Sequence, residues 1–240
     1  MVKRGYIFLF VSLVCALNQN AIGQTQTISK FIDLNVGVGD SEGSLVFSLN
    51  YDKSLGKGKK IVVGFAGRLT SYLGKNQYYE TAPAKLTSGS TGPGVLFKEN
   101  IKDNMDTFLI KTSQVNSFNV ALTLGYNLSE RLMLRFNIDV IGFSFGKSVK
   151  GNYINGTQGS IESASPTAFN LLLVSDNDKG SLNSELFARY RLNDKWGIKG
   201  GIQFLFTEFT TDSKVQQVPE ANDRFRNKSL MFSAGVCFNL

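Results

Sequence analysis

The sequence predicts an all-β fold, a closed antiparallel β-barrel of eight strands that crosses a membrane. Three observations support this prediction. Apolar and polar residues alternate in several segments, the connections between the segments are by turns short and long, and the polar face of the segments is poor in Lys and Glu. A tilted strand needs roughly 9–11 residues to cross the apolar core of a bilayer. Short turns at one end and long loops at the other are typical of membrane barrels.

Residues 1–23 differ from the rest of the chain and predict a secretory signal peptide. Lys3 and Arg4 precede an apolar run over 6–17, and the small residues Ala21 and Gly23 stand before Gln24. A basic start, a short apolar centre and small residues near a cleavage point are the features of such a peptide. The expected domains are therefore 1–23, the signal peptide, and 24–240, the barrel.

The predicted strands follow one another in chain order, each with one apolar face. They are residues 30–39, 45–51, 61–69, 118–126, 132–140, 186–192, 196–206 and 230–240. In the last of these, every second residue from Leu230 to Leu240 is apolar, which is the period of a strand with two unlike faces. We expect this strand to pair with 30–39 and close the barrel.

The connections predict the orientation of the barrel, with short turns at its periplasmic end and long loops at its extracellular end. Long loops are expected over 74–117, 146–180 and 208–227, and they contain all four prolines, whereas the other connections have a few residues. Strand four can begin early, because Phe108, Ile110 and Thr112 already alternate. The mostly apolar run 169–174 allows a further membrane strand, and hence ten strands as the alternative count. Four aromatic residues beside the short turns predict an interfacial girdle: Tyr51, Tyr126, Tyr190 and Trp196.

The composition of the polar face separates a membrane barrel from a soluble one, which would expose Lys and Glu there. This face consists mostly of Gly, Ser, Thr, Asn and Ala, with charges of both signs. Buried charges are stable only when they are paired, so we expect an ion-pair network in the lumen, tightly filled together with Tyr72, Phe143 and Phe187. The predicted lumen network is Asp33, Arg68, Arg135, Asp139, Glu185, Arg189, Arg191 and Lys199.

The alternating strands, the Tyr-flanked turns and the closing strand resemble the eight-stranded outer-membrane β-barrel family typified by the OmpA transmembrane domain and OmpX. The resemblance implies a location in the outer membrane of a Gram-negative bacterium, with membrane lipid and the barrel insertion machinery as partners. It also implies that Phe232, Val236, Phe238 and Leu240 form a C-terminal insertion signal. Leu240 departs from the aromatic residue usual at the last position.

The residue content argues against catalysis. The chain has no histidine, which excludes Ser-His and Cys-His nucleophiles and the common zinc sites. Cys237 has no base to activate it, so we expect a packed side chain and predict no catalytic, cofactor-binding or metal site. The basic residues form no cluster with interleaved aromatics, so nucleic acid is not an expected partner.

Three functions follow as hypotheses. The first is a structural or surface-interaction barrel whose long loops meet an extracellular partner that the sequence does not identify. The second is a narrow pore or transporter for small, hydrophobic solutes. The third is a secreted, soluble binding barrel of the lipocalin type.

Overall fold

The computed structural model describes residues 28–90, 98–155, 158–173 and 177–240. The predicted signal peptide lies outside these residues. Eleven antiparallel strands form one sheet in the described chain: β1 (Ile28–Val38), β2 (Glu42–Leu55), β3 (Ile61–Thr81), β4 (Thr107–Asn127), β5 (Leu132–Phe145), β6 (Val149–Asn155), β7 (Gln158–Pro166), β8 (Phe169–Leu171), β9 (Leu182–Arg191), β10 (Trp196–Thr211) and β11 (Arg224–Asn239). A single helical turn, α1 (Ala84–Thr87), and a 3-10 turn, Lys102–Asn104, lie between β3 and β4. Among the described helices, none is long and apolar enough to cross a membrane.

Eight of these strands form a closed ring. Its strands are, in order, β1, β2, β3, β4, β5, β9, β10 and β11, and β11 pairs with β1 to close the ring. The closing pair runs without interruption from Phe31 opposite Asn239 to Val38 opposite Phe232. The prediction of eight antiparallel strands closed by the first and the last is therefore confirmed. We call this part the eight-strand ring and its interior the lumen.

The outer face of the eight-strand ring carries a continuous apolar belt. On β4 it consists of Phe118, Val120, Leu122, Leu124 and Tyr126, each 37–57% exposed. The same face of β4 then turns polar, at Asn116, Gln114 and Thr112. Nine residues from Phe118 to Tyr126 match the length that a tilted strand needs in a bilayer, roughly 9–11 residues.

Several strands continue beyond the belt and close a second, narrower ring. The neighbouring strands of this ring are, in order, β3, β4, β6, β7, β10 and β11. The ring closes where β11 pairs with β3, at Phe225 opposite Thr81. The β6–β7 hairpin bridges β4 and β10 above the point where β5 and β9 end. We call this part the six-strand ring, and the end of the molecule that it occupies the loop end. The opposite end, with the turns at 56–60, 128–131 and 192–195, is the short-turn end.

The six-strand ring has an apolar interior, the reverse of the eight-strand ring. Its buried core consists of Tyr79, Phe108, Ile110, Val115, Tyr153, Ala164, Phe209 and Phe225. The Tyr79 and Phe209 rings meet edge to face in this core, with centroids 5.3 Å apart, and the Phe108 ring lies 5.5 Å from the Phe225 ring. Along β10 the inward side chains change from Lys199 and Gln203 to Leu205 and Phe209. The aromatic core therefore lies directly above the polar lumen.

The change from eight strands to six coincides with an irregularity in β3 and β4. Lys75 pairs with Thr112 and Gln77 pairs with Ile110, while Asn76 between them has a positive φ of 51°. Asn adopts this left-handed conformation more readily than most residues. The short β1–β2 turn lies beneath this point, where the Lys75 amide donates to the Ser41 carbonyl at 2.9 Å. The first connection is short because β3 and β11 close over it.

Two expectations about the loops were wrong. The three predicted long loops contain strand: β3 extends to Thr81, β4 begins at Thr107, β6 to β8 occupy much of 146–180, and β10 and β11 leave only 212–223 between them. The early start of strand four is confirmed. The run 169–174 adds no strand to the ring, because β8 has three residues and pairs with the upper end of β5.

The core of the six-strand ring predicts a large loss of stability in the Phe209→Ala variant. Phe209 is fully buried, and truncating a buried Phe to Ala typically costs about 3–5 kcal/mol because a cavity remains. The matched control is Phe47→Ala, which removes an outward-facing ring and leaves no internal cavity. Urea titration of the membrane-reconstituted protein measures the free energy of unfolding. Equal losses in the two variants would contradict the packed six-strand ring.

Candidate functional site

The lumen holds a connected set of five buried charged side chains. Arg68 lies 3.0 Å from a carboxylate oxygen of Asp139 and 3.4 Å from one of Glu185. Lys199 lies 3.5 Å from Glu185 and 2.7 Å from Asp33. The strands β1, β3, β5, β9 and β10 each supply one member, so the set spans the lumen. Alternation places these residues inward because their neighbours in sequence face the belt.

Hydrogen bonds from uncharged groups complete the coordination of the three carboxylates. The Asn119 amide donates to Asp139 at 2.8 Å, and the Asn183 backbone N–H donates to the same carboxylate at 3.0 Å. The Asn50 amide donates to Asp33 at 2.7 Å, and the Asn35 amide donates to Glu185. Charge-assisted bonds of this kind are stronger than neutral ones. The network therefore fixes the positions of the buried charges and fills the cross-section of the lumen.

Two further arginines lie toward the short-turn end. Arg135 lies 2.6 Å from a carboxylate oxygen of Asp52. The Arg189 guanidinium stacks on the Phe31 ring at 4.0 Å and donates to the side-chain oxygen of Asn239. Asp52 was missing from the predicted network because its position beside a Gly/Lys-rich turn suggested a turn residue. Its inward place follows from the alternation of β2, in which Asn50 and Asp52 are both buried.

Arg191 does not belong to the buried network. Its side chain is exposed at the end of β9, where the strand passes into the turn to β10 and the lumen opens to solvent. Arg191 was predicted to be inside because it lies two residues after Arg189, and strand alternation puts both on the same face. The other seven predicted members are buried, and Asp52 joins them.

Phe143 was also assigned to the wrong face. It is 51% exposed, on the belt, in contact with Phe118 at a ring separation of 5.8 Å. The register of β4 and β5 shifts between Val120 and Ala121, which leaves Val140 as an extra residue of β5. A bulge of this kind inverts the faces of every residue beyond it. Tyr72 and Phe187 are buried, as expected.

The four residues of the predicted girdle lie at the short-turn edge of the belt. Tyr126, Tyr190 and Trp196 are 42–49% exposed, and Tyr51 is half-buried against Phe65 with ring centroids 5.2 Å apart. Phe232, Val236 and Phe238 of the predicted insertion signal lie on the outer face of β11, and Leu240 follows directly after the strand. Phe232 is 80% exposed, Val236 and Leu240 are exposed, and Phe238 is half-buried against Trp196.

A second buried ion cluster lies at the loop end, on the outer side of β10 and β11, and no sequence pattern predicted it. Glu208 lies 2.8 Å from both Arg224 and Arg226. The Arg224 guanidinium also donates to the Asp178 carbonyl at 2.9 Å, and the Glu208 N–H donates to the Ser181 hydroxyl. The connection between β8 and β9 therefore covers this cluster.

Polar side chains join the connections of the loop end to one another. The Thr81 hydroxyl donates to the Gln216 side chain at 2.9 Å, and the Gln216 amide donates to the Asn104 carbonyl at 2.8 Å. The Tyr153 hydroxyl donates to the buried Asp106 carboxylate. Burial and this bond raise the pKa of Tyr153 to about 12, so its phenol stays neutral at ordinary pH. The loop end is thus a hydrogen-bonded surface.

Charge is distributed unevenly along the axis of the rings. In the part of the chain that the structure describes, the lumen has four basic and four acidic side chains, and the loop end has twelve of each. The short-turn end has two acidic residues, Glu130 and Asp194, against eight basic ones. These are Lys30, Lys53, Lys57, Lys59, Lys60, Arg131, Arg191 and Lys195. The net positive charge of the described chain therefore lies at the short-turn end.

A cavity of about 130 Å³ opens at the short-turn end, between the start of β1, the β4–β5 turn and the end of β9. Arg131, Arg189 and Arg191 line it, together with Glu130 and Asn239. The backbone holds two of the arginines together, since the Arg191 N–H donates to the Arg131 carbonyl at 2.8 Å. The cavity is thus lined by more positive than negative charge.

No family model and no curated protein matches the chain. Among solved structures it is similar to Neisserial surface protein A, at 8% identity and a TM-score of 0.39, over 90% of this chain and 100% of that one. It is similar to Ail, the attachment invasion locus protein of Yersinia pestis, at 9% identity and 0.32, over 90% and 97%. A major outer membrane protein of Thermus thermophilus matches at 11% identity and 0.34, over 88% and 99%. At these identities and TM-scores the similarity transfers no function to this chain.

The Arg68–Asp139 pair predicts strongly non-additive effects on stability. Asp139→Leu leaves Arg68 with Glu185 as its remaining partner, and Arg68→Met leaves Asp139 without its cationic partner. Breaking a buried ion pair in this way typically costs about 3–5 kcal/mol. The double variant removes both charges and should recover most of that loss. The free energy of unfolding in lipid vesicles measures each change.

The exposed pair Lys85–Glu220, with side chains 61% and 53% exposed, is the control for this cycle. Its single variants Lys85→Met and Glu220→Gln should change the free energy by less than about 1 kcal/mol. Additive losses at Arg68 and Asp139 would show that the lumen charges do not act as a network.

Proposed function

We propose that the chain is an outer-membrane β-barrel that is closed to solutes and acts through its loop end as a structural or surface-interaction protein, without a catalytic role. The short-turn end then faces the periplasm and the loop end faces the outside of the cell. The observation that carries the proposal is the reversal of polarity between the two rings. The eight-strand ring is apolar outside and charged inside, while the six-strand ring has an aromatic interior.

The outer face of the eight-strand ring supports the membrane location. Soluble proteins rarely expose a contiguous apolar patch of more than a few hundred Å². Here an apolar belt surrounds the ring, aromatic residues border it at the short-turn end, and charged residues such as Lys75 and Lys228 follow it at the loop end. A closed ring in lipid leaves no strand edge unpaired. The same belt argues against the soluble lipocalin-like alternative, because such a barrel would expose this apolar surface to water.

Two barriers in series support a closed lumen. The ion-pair network fills the middle of the eight-strand ring, with Arg68 and Asp139 fully buried. Above it, the core of the six-strand ring closes the same axis with packed aromatic side chains. A solute would have to break buried ion pairs and then displace this core, so the narrow pore is the weaker alternative.

The loop end supports an interaction role because it is preorganised. Gln216 connects the 212–223 loop to Thr81 at the end of β3 and to Asn104 in the connection between β3 and β4, and Lys85 pairs with Glu220 at 2.6 Å. A surface that is already ordered loses less conformational entropy when a partner binds. The six-strand ring would therefore present a defined surface to an extracellular partner.

The membrane location predicts opposite tolerance of charge at two positions on the same face of β4. Leu122 lies in the middle of the belt and Gln114 lies above it. Leu122→Arg should lower the free energy of unfolding in vesicles by about 2–4 kcal/mol and reduce the amount in the outer-membrane fraction, as expected near a bilayer midplane. Gln114→Arg should have little effect on either.

A soluble barrel would give a different result for this pair. Both residues would then face water, and surface substitutions usually stay within about 0.5 kcal/mol. Equal tolerance of arginine at positions 114 and 122, with the protein monomeric in the absence of detergent, would refute the membrane location.

The closed lumen predicts silence in single-channel recordings. The purified protein, inserted into a planar bilayer, should produce no steady openings, because both the ion network and the aromatic core block the axis. A general porin added to the same bilayer shows that the recording detects open barrels. Steady openings of this protein would contradict the closed barrel and favour the transport alternative.

A further inference from the structure

We infer that the short-turn end binds the phosphate group of an anionic phospholipid, and that the cavity between Arg131, Arg189 and Arg191 is the binding site. The inference rests on the proposed membrane location, which places this end among the lipid headgroups of the periplasmic leaflet. It adds a ligand and a site that the closed-barrel function does not require.

The cavity has the donors that a phosphate needs. Arginine presents a planar fork of N–H groups that binds phosphate oxygens in pairs. Arg189 is 6% exposed, and its Nε has no hydrogen-bond partner in the described part of the chain. A buried guanidinium N–H without an acceptor is unfavourable, and Arg189 lines the cavity together with Arg131 and Arg191. The volume of about 130 Å³ is several times the roughly 30 Å³ of one water molecule.

Neighbouring residues place the cavity at the level of lipid headgroups. Leu132 lines the cavity and pairs with Tyr190 of the girdle. Lys195 holds its ammonium 5.6 Å from the Phe238 ring, and Lys30 lies 5.8 Å from the Tyr51 ring. Long basic side chains on interfacial aromatics keep their apolar stems against the belt and their charges in the headgroup layer. This position favours a lipid over a ligand that approaches from the aqueous periplasm.

The charge of the short-turn end favours an anionic lipid over a zwitterionic one. Eight basic residues face only Glu130 and Asp194 there, whereas the lumen and the loop end are balanced in the described chain. Each basic residue near an anionic membrane surface contributes about 1 kcal/mol of attraction. The lysines would gather anionic lipid around the ring, and the three arginines would hold one headgroup.

Native mass spectrometry of the protein from the outer-membrane fraction tests the inference. Phosphatidylglycerol and phosphatidylcholine with the same acyl chains are titrated separately. We expect the wild type to retain phosphatidylglycerol preferentially. The double variant Arg131→Ala/Arg191→Ala should weaken phosphatidylglycerol binding about 30-fold, the value for two interfacial cations, with phosphatidylcholine binding unchanged.

The matched control is Lys111→Ala/Lys147→Ala, which removes the same charge from exposed positions at the loop end. It should keep the phosphatidylglycerol preference. Equal retention of the two lipids by the wild type would overturn the inference, as would equal losses in the two double variants. Inorganic phosphate that binds as tightly as the lipid would also overturn it, as would arginine-dependent sedimentation with purified peptidoglycan in place of lipid binding.

Membrane insertion is scored separately in vesicles of phosphatidylcholine alone. A wild type that inserts there without preferring phosphatidylglycerol refutes only the lipid site. A wild type that fails to insert refutes the proposed membrane location.

Discussion

Closure of the sheet is the constraint on which the rest of the structure depends. In lipid an unpaired backbone N–H or C=O costs several kcal/mol, so every strand of the eight-strand ring needs two neighbours. The continuous pairing of β1 with β11 supplies the last of these contacts. Once eight strands close, their interior is only wide enough to be filled by side chains. The polar groups that alternation turns inward must then satisfy one another, and they do so across the lumen.

The two rings show how solvent determines which face of a strand is apolar. Below the irregularity at Asn76, lipid surrounds the proposed barrel and the inward side chains are charged. Above it, water surrounds the six-strand ring and the inward side chains are Tyr79, Phe108, Phe209 and Phe225. Because β3, β4, β10 and β11 take part in both rings, each of these strands carries two opposite polarity patterns. The proposed closed barrel and the ordered loop end follow from the same four strands.

The part of the fold in the belt could be predicted from the sequence, whereas beyond the belt only the early start of strand four could be predicted. In the belt, apolar and polar residues alternate over seven or more residues in each predicted strand, so the strands, their order and most inward charges followed from this pattern. Beyond the belt the apolar residues lie on the inward face instead of the outward one. The outward apolar pattern therefore ends there, and most of the strand segments beyond it were predicted to be loops. The Val140 bulge has no signal in a single sequence, and it moved Phe143 to the belt. Arg191 was placed in the lumen by error, because alternation does not predict the direction of a side chain where a strand ends. The Glu208–Arg226 pair was not predicted, because it lies on a face that normally meets solvent.

The six-strand ring also limits how this protein can diversify. In a membrane barrel with unstructured outer loops, the residues outside the cell can change freely under immune or phage pressure, since they contribute little to stability. Here much of the loop end is structural: Tyr79 and Phe225 belong to a packed core, and β11 must fit both β1 and β3. Drift without loss of folding is therefore confined to the connections at the very tip. Relatives should differ most between α1 and β4 and between β10 and β11, and should retain bulky apolar residues at the core positions between them.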